Sequence, residues 1–234
     1  MGSFEVALDD DQLWGPGVTN EAAKRAAAAQ MAARLRPGDV VGVGSGTTSH
    51  LTVVALAERA RAEGFSWTAV PTSLEVALTC GTLGVAVGSL ATLRPDWSFD
   101  GADEVDPEAN LLKGRGGALL REKLVMAASP ERYVVVDRSK LVERLGSRFP
   151  VPLEVVPEAV RLVRDQLAQL GVTEVALRRA EGKDGPLITE RGNLLLDARL
   201  PEVTARSEAE LKAIPGVVES GLFMGFQPRV VVAG

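Results

Sequence analysis

Apolar positions along this chain alternate between the two periods that distinguish helices from strands. An alanine-rich stretch opened by Asn20, a good helix N-cap, predicts a helix from Asn20 to Leu35, and Gly38 sits where that helix would end. Asp39 to Val43 is a short continuous apolar run, the mark of a strand buried on both faces. Helical spacing returns from Thr48 to Ala62 at Leu51, Val54, Ala55 and Leu56, with the charges Glu58, Arg59 and Arg61 gathered at the far end. Trp67–Val70 then reads as a strand, Leu74–Cys80 as a short helix and Gly84–Gly88 as a strand. Trp97–Phe99 reads as a strand ending in an acidic turn, Ala118–Ala128 as a helix and Tyr133–Val136 as a β-branched strand. Strands alternating with helices predict an α/β fold, a Rossmann-like, mainly parallel sheet with helices on both faces.

From Pro150 onward the pattern changes. Strands are expected at Leu153–Val156, Glu174–Arg178, Leu187–Thr189, Leu194–Ala198 and Val218–Leu222, with helices at Ala159–Leu170 and Glu208–Ile214. Apart from one additional short strand, this is a β-α-β-β-α-β order, which predicts a smaller α+β domain of ferredoxin-like layout. Arg229–Val232 is a terminal strand able to rejoin the first sheet. The expected division is therefore a catalytic domain over 1–148, to which the strand in 224–234 returns, and a small domain over 149–223. Residues 1–18 read as an irregular lead closed by Gly15-Pro16-Gly17.

Composition narrows the function classes. The 234 residues carry a formal charge of -5, which argues against a broad nucleic-acid surface. No apolar run approaches the roughly 20 residues a spanning helix needs, and the acidic start lacks the apolar core of a signal peptide. With a single cysteine, Cys80, no intrachain disulfide can form, and a cytoplasmic location is expected. His50 lies within a predicted helix, and no His/Cys cluster has metal-ligand spacing, so no metal is expected.

Three short segments carry candidate chemistry. Gly42-Val43-Gly44-Ser45-Gly46-Thr47-Thr48-Ser49 joins a predicted strand to a predicted helix. Glycines let backbone approach a ligand, and free N–H groups, the helix dipole and the hydroxyls of Ser45, Thr47 and Thr48 favour a phosphate. A glycine-rich turn with capping hydroxyls would use the same residues. It is neither a P-loop nor a complete dinucleotide fingerprint, since no Gly-Lys-Ser/Thr closes it and Ser49 stands at the third glycine. Pro71-Thr72-Ser73 repeats the arrangement weakly.

The second segment, Asp100-Gly101-Ala102-Asp103-Glu104-Val105-Asp106, sets four carboxylates at the carboxyl end of a strand, where open parallel sheets bind ligands. Its turn is tight enough for Asp100 and Asp103 to face one cavity. A solvated Asx-type turn explains the same composition, whereas an EF-hand loop does not fit the spacing. The third, Lys113-Gly114-Arg115-Gly116-Gly117, runs into a helix bearing Glu122. A lysine beside backbone N–H donors can stabilise a developing oxyanion, and a carboxylate on a rigid helix can act as a base. Pairing of Glu122 with Arg121 or Lys123 as surface charges is the plainer alternative.

Together these segments resemble the A-type ribose-5-phosphate isomerases. The resemblance extends to Asp137-Arg138-Ser139-Lys140, Phe149-Pro150-Val151-Pro152 and Ile214-Pro215-Gly216-Val217-Val218, and spans roughly Asn20 to the end. Arg115 departs from it by interrupting the glycine run. The resemblance implies an aldose–ketose isomerase of the pentose phosphate pathway that interconverts ribose 5-phosphate and ribulose 5-phosphate through an enediolate, without a cofactor, as a homodimer or homotetramer.

On that basis Glu122 is the expected base and Lys113 the group that stabilises the oxyanion, with Asp100 and Asp103 orienting hydroxyls and assisting ring opening. Substrate binding is expected at Ser45, Gly46, Thr47, Thr48, Asp100, Gly101, Ala102, Asp103, Lys113, Gly114, Arg115, Gly116 and, by the resemblance, Lys140. Glu104 and Asp106 are expected to be solvated. The competing readings are another sugar-phosphate enzyme, such as an amino-sugar phosphate deaminase or a thioester-dependent acyl transferase, and a sugar-phosphate-sensing regulator. The last would want a basic DNA-binding segment that this sequence does not offer.

Overall fold

A computed structural model describes residues 20–182 and 184–233, so the lead assigned to residues 1–18 lies outside the described residues. In chain order, α1 (Glu21–Ala32) leads into β1 (Val40–Val43), α2 (Thr47–Glu63), β2 (Thr68–Pro71), α3 (Leu74–Thr82), β3 (Ala86–Val87) and β4 (Trp97–Asp100). Two short strands, β5 (Glu104–Val105) and β6 (Leu111–Leu112), precede α4 (Leu119–Ala128) and β7 (Glu131–Asp137). The remainder is β8 (Val151–Val155), α5 (Val160–Gln169), β9 (Glu174–Leu177), β10 (Leu194–Arg199), α6 (Ser207–Lys212), β11 (Val217–Ser220), β12 (Leu222–Phe223) and β13 (Arg229–Ala233).

Six strands form one sheet in the order β13-β7-β4-β1-β2-β3, every neighbouring pair parallel. One face buries Val41, Val43, Phe99 and Val135 against Met31 of α1 and Leu56 of α2. The other face is covered by α4, and Gly42 makes that approach possible: a Cβ there would lie 2.5 Å from Val125 Cγ1 and 2.7 Å from Ser98 Cβ. Helices on both faces explain why β1 and β4 are buried almost end to end.

A second, antiparallel sheet has the order β11-β8-β10-β9, the ferredoxin-like arrangement its element order predicts. Leu153, Val155, Leu196 and Ala198 pack there against Val163 and Leu167, one turn apart on α5. A third, small sheet of β12, β6 and β5 stitches the two together just before Lys113. Gly221 sits in that seam. Its N–H donates to Pro152 O at 2.7 Å, its carbonyl accepts from Lys113 N at 2.9 Å, and a Cβ would lie 2.3 Å from Lys113 O.

Three local expectations differ from the structure. Asn20 adopts a left-handed conformation, φ 55°, and makes no side-chain cap. The helix it opens stops at Ala32, where Arg59 Nη1 takes the carbonyls of Ala32 and Leu35 at 2.5 and 2.9 Å and satisfies the orphaned acceptors. Leu187–Thr189 does not form a strand. Pro186 and Ile188 make only isolated bridges, because Thr189 Oγ1 turns to Glu154 and Glu190 reaches out to the Leu74 N–H at 2.5 Å. Gly42→Ala should cost about 1–3 kcal/mol of stability by forcing α4 away from β1, read as a lower denaturation midpoint in urea.

Candidate active site

The sheet order reverses between β1 and β4: β2 and β3 extend from one side of this pair, β7 and β13 from the other. Loops leaving the carboxyl ends of β1 and β4 therefore diverge and open a crevice, the usual ligand position in such sheets. The loop after β1 and the acidic turn after β4 touch directly. Gly44 N–H donates to Phe99 O at 2.8 Å, and a Cβ on Gly44 would lie 2.2 Å from Asp100 Cγ. Gly46, at φ 84°, turns the chain into α2, placing Thr47 and Thr48 in its first turn beneath the free N–H groups.

Lys113 is 3% exposed and lies at the centre of the charged groups. Its Nζ is 3.1 Å from Asp100 Oδ2 and 3.4 Å from Glu122 Oε1, and it donates to Gly101 O at 2.6 Å. Burial alone would lower its pKa, but the carboxylates of Asp100, Glu122 and Asp103 outweigh that and hold the ammonium above the ordinary lysine value. For Asp100 burial leads. Opposed by Lys113 and reinforced by Glu122, it pushes the carboxyl up to about 7. Burial also raises Asp103, against the pull of Lys113 and the Arg115 N–H, which donates to Asp103 Oδ2 at 3.2 Å. Glu122 Oε1 also accepts the Ser45 hydroxyl at 2.7 Å, tying the β1 loop to the carboxylate on α4.

A cavity of about 320 Å³ opens on this cluster. Ser45, Gly46, Thr47, Thr48, Gly101, Ala102, Asp103, Lys113, Gly114, Arg115, Gly116, Glu122 and Lys140 all line it. Asp100 does not. It lies beneath the wall, its Oδ1 accepting the Gly101 N–H at 2.7 Å, so the two aspartates do not share one cavity face as their spacing suggests. A neighbouring chamber of about 390 Å³ shares Ser45, Gly46 and Gly116 but contains none of Asp103, Lys113 or Glu122; the charged cluster faces the smaller one alone.

Other sequence expectations sort out here. Glu104 is not solvated. It is fully buried, and its two carboxylate oxygens accept the N–H groups of Gly146, Arg148 and Phe149 at 2.6–2.9 Å. Asp106 caps a turn by accepting from Asn110 N at 2.8 Å. Lys123 does not pair with Glu122 but crosses to Glu208 and Glu219 at 2.5 and 2.9 Å, leaving Glu122 to the cavity. Arg121 pairs with Glu190. Ser73 accepts from Val76 N at 3.3 Å as an N-cap of α3, so Pro71-Thr72-Ser73 follows the capping reading. Burial pushes the Cys80 thiol up to about 12, as befits a structural cysteine. Among the described residues no group of three or more His, Cys, Asp and Glu side chains is placed to hold a metal ion.

Two charged cavity residues escaped the sequence reading. Lys24 is 7% exposed, lines the cavity and donates to Thr47 Oγ1 at 3.4 Å. Its signal was present: it shares the buried stripe of α1 with Ala27, Ala28 and Met31, where a charge needs a reason. Asp137 also lines the cavity. Burial would raise its carboxyl, but hydrogen bonds from Ser139 hold it below the ordinary range.

A glycine loop at a helix N-terminus, a buried lysine and a carboxylate on a rigid helix around one small cavity make a site suited to acid–base chemistry on a small anion. Residues 68–234 match the sequence profile of ribose 5-phosphate isomerase A (phosphoriboisomerase A). The ribose-5-phosphate isomerase A of Methanothermobacter thermautotrophicus is 44% identical over 210 residues, 89% of this chain and 92% of that one. The solved structure of ribose 5-phosphate isomerase A from Methanocaldococcus jannaschii superposes with a TM-score of 0.87 at 36% identity, covering 92% and 96% of the two chains. A D-ribose-5-phosphate isomerase solved in complex with phospho-erythronic acid gives 0.86 at 36% identity, with the same coverage. The chain belongs to the ribose 5-phosphate isomerase A family.

The raised carboxyl of Asp100 has a thermodynamic signature. An acid that holds its proton more tightly folded than unfolded makes stability fall as pH rises from its unfolded value, about 4, to its folded value of about 7. Denaturant unfolding of Asp100→Asn across pH 4–7 should therefore show a shallower decline than the parent. An equal decline in both proteins would remove Asp100 as its source.

Proposed function

We propose that Glu122 is the base through which this chain interconverts ribose 5-phosphate and ribulose 5-phosphate. The observation that carries the assignment is the Lys113 ammonium 3.4 Å from Glu122 Oε1, both groups on the wall of one cavity beside the β1 loop. In the open-chain aldose, Glu122 takes the proton from C2, the electrons move to the carbonyl oxygen at C1, and an enediolate forms. Lys113 stabilises the anionic oxygen; transfer of the hydroxyl proton and return of the carbon-bound proton to C1 gives the ketose. Asp103, on the wall, orients the sugar hydroxyls and assists ring opening. Asp100, beneath it, acts through Lys113 by holding the ammonium charged and in place.

The phosphate lies on Ser45 to Thr48, with Lys24 and Lys140 as its cations and the N-terminus of α2 as its dipole. Phospho-erythronic acid, which one solved relative holds, ends in a planar carboxylate of the shape and charge of an enediolate end, and this supports the same reading. The division at 148/149 and 223/224 is proposed with it, as is a homodimer or homotetramer. In support of the latter, Leu74 and Leu78, one turn apart on α3, are 59% and 41% exposed. A cytoplasmic location is proposed too; among the described residues no helix is long and apolar enough to cross a membrane.

Glu122→Gln should retain ribose 5-phosphate binding while turnover and exchange of the C2 proton with solvent fall by about 10²–10⁴-fold; near-normal turnover would sink the assignment. Lys24→Met should act on the other side of the ledger, raising KM with kcat nearly unchanged. A kcat loss at unchanged KM would move Lys24 from the phosphate to the reacting carbons.

A further inference from the structure

The glycines after Lys113 let that loop take backbone conformations other residues resist. Gly114 and Gly117 take φ of 98° and 90°, and Gly117 N–H closes a turn by donating to Gly114 O at 3.1 Å. A second restraint comes from the small sheet. Arg178, directly after β9, sends Nη1 to the carbonyls of Gly114 and Arg115 at 2.8 and 2.9 Å. The rest of the guanidinium is clasped by Asp197 of β10: Nε donates to Oδ2 at 2.9 Å and Nη2 to Oδ1. The side chains of Arg178 and Asp197 are only 15% and 18% exposed. A bidentate carboxylate leaves a planar guanidinium almost no rotational freedom, so Nη1 is a fixed point.

Peptide geometry converts that fixed point into a direction. In a trans peptide unit the C=O and the N–H point opposite ways. Holding the Gly114 carbonyl therefore aims the Arg115 N–H away from Arg178, and that N–H is the one that reaches Asp103 Oδ2 at 3.2 Å. Holding the Arg115 carbonyl likewise turns the N–H of Gly116, a residue that lines the cavity, away from Arg178. The Arg115 side chain takes no part in this: it is exposed and stacks 4.1 Å over the Phe149 ring.

We propose that Arg178, locked by Asp197, is a positioning residue of the isomerase reaction. It sets the two peptide planes that present the Arg115 N–H to Asp103 and the Gly116 N–H to a substrate oxygen. The inference rests on the placement of Asp103 and the lysine–glycine loop in the substrate site. Turnover of ribose 5-phosphate by the parent tests that placement; only the difference between variant and parent tests this one.

Arg178→Met should lower kcat/KM by about 10²-fold, the cost of misplacing groups by roughly 1 Å, with kcat carrying part of the loss. Asp103 would lose the N–H that lowers its pKa, so the acid limb of the kcat/KM profile should move to higher pH. The other charges bearing on Asp103, those of Lys113, Glu122 and the Arg115 side chain, stay in place, as do Lys24, Asp100, Asp137 and Lys140 around the cavity. Asp197→Asn, which keeps the shape of the clasp, should shift the same limb in the same direction by less, and serves as the test if Arg178→Met does not fold. The double variant should lose little more than Arg178→Met alone. Activity that falls only in proportion to the folded fraction, with the acid limb unmoved in both variants, would overturn the proposal, as would unchanged kcat/KM.

Discussion

A single buried ammonium organises this molecule. Lys113 could not remain charged at 3% exposure without its carboxylates, and Asp100 and Glu122 could not be packed so close together without Lys113. Each of the three is delivered by a different element: the end of β4, the turn after β6 and the first turn of α4. Their mutual requirement therefore fixes how sheet, seam and helix meet. Gly42 and Gly44 follow from it, since α4 must come close enough for Glu122, and the β1 loop close enough for Ser45 to reach that carboxylate.

Much of this was legible in the sequence, because the physics that sets it is local. Alternating periods, glycine punctuation and β-branched runs each act over a few residues, and they gave both sheets with boundaries displaced by a residue or two. The motif residues on the cavity wall were legible for the same reason: Ser45 to Thr48, Asp103, Lys113 and Glu122 sit on turns and helix starts that their neighbours dictate. Leu187–Thr189 is not a strand because Thr189 is claimed by Glu154 and the next residue, Glu190, by the start of α3, partners more than 30 residues away.

The misplaced carboxylates tell the same story. Glu104 looked like one more charge in an acidic turn; three N–H groups from residues 146–149 bury it, and no window around position 104 contains them. The unequal standing of Asp100 and Asp103 is likewise a matter of depth beneath a surface, which spacing does not encode. Lys24 stands between these cases, on a stripe whose period is visible but whose partner, Thr47, is 23 residues on.

The seam at Gly221 bears on the order in which the chain acquires its activity. Every side chain proposed to touch the substrate lies at or before Lys140, yet the backbone of Lys113 is fastened to Gly221 and its loop to Arg178. A chain emerging from the ribosome thus carries a complete set of reactive groups long before it can hold them in register. The contacts that finish the site span 64 to 108 residues of sequence, from Gly114 to Arg178 and from Lys113 to Gly221, separations that slow closure. The groups that react are thus synthesised well before the groups that fasten them.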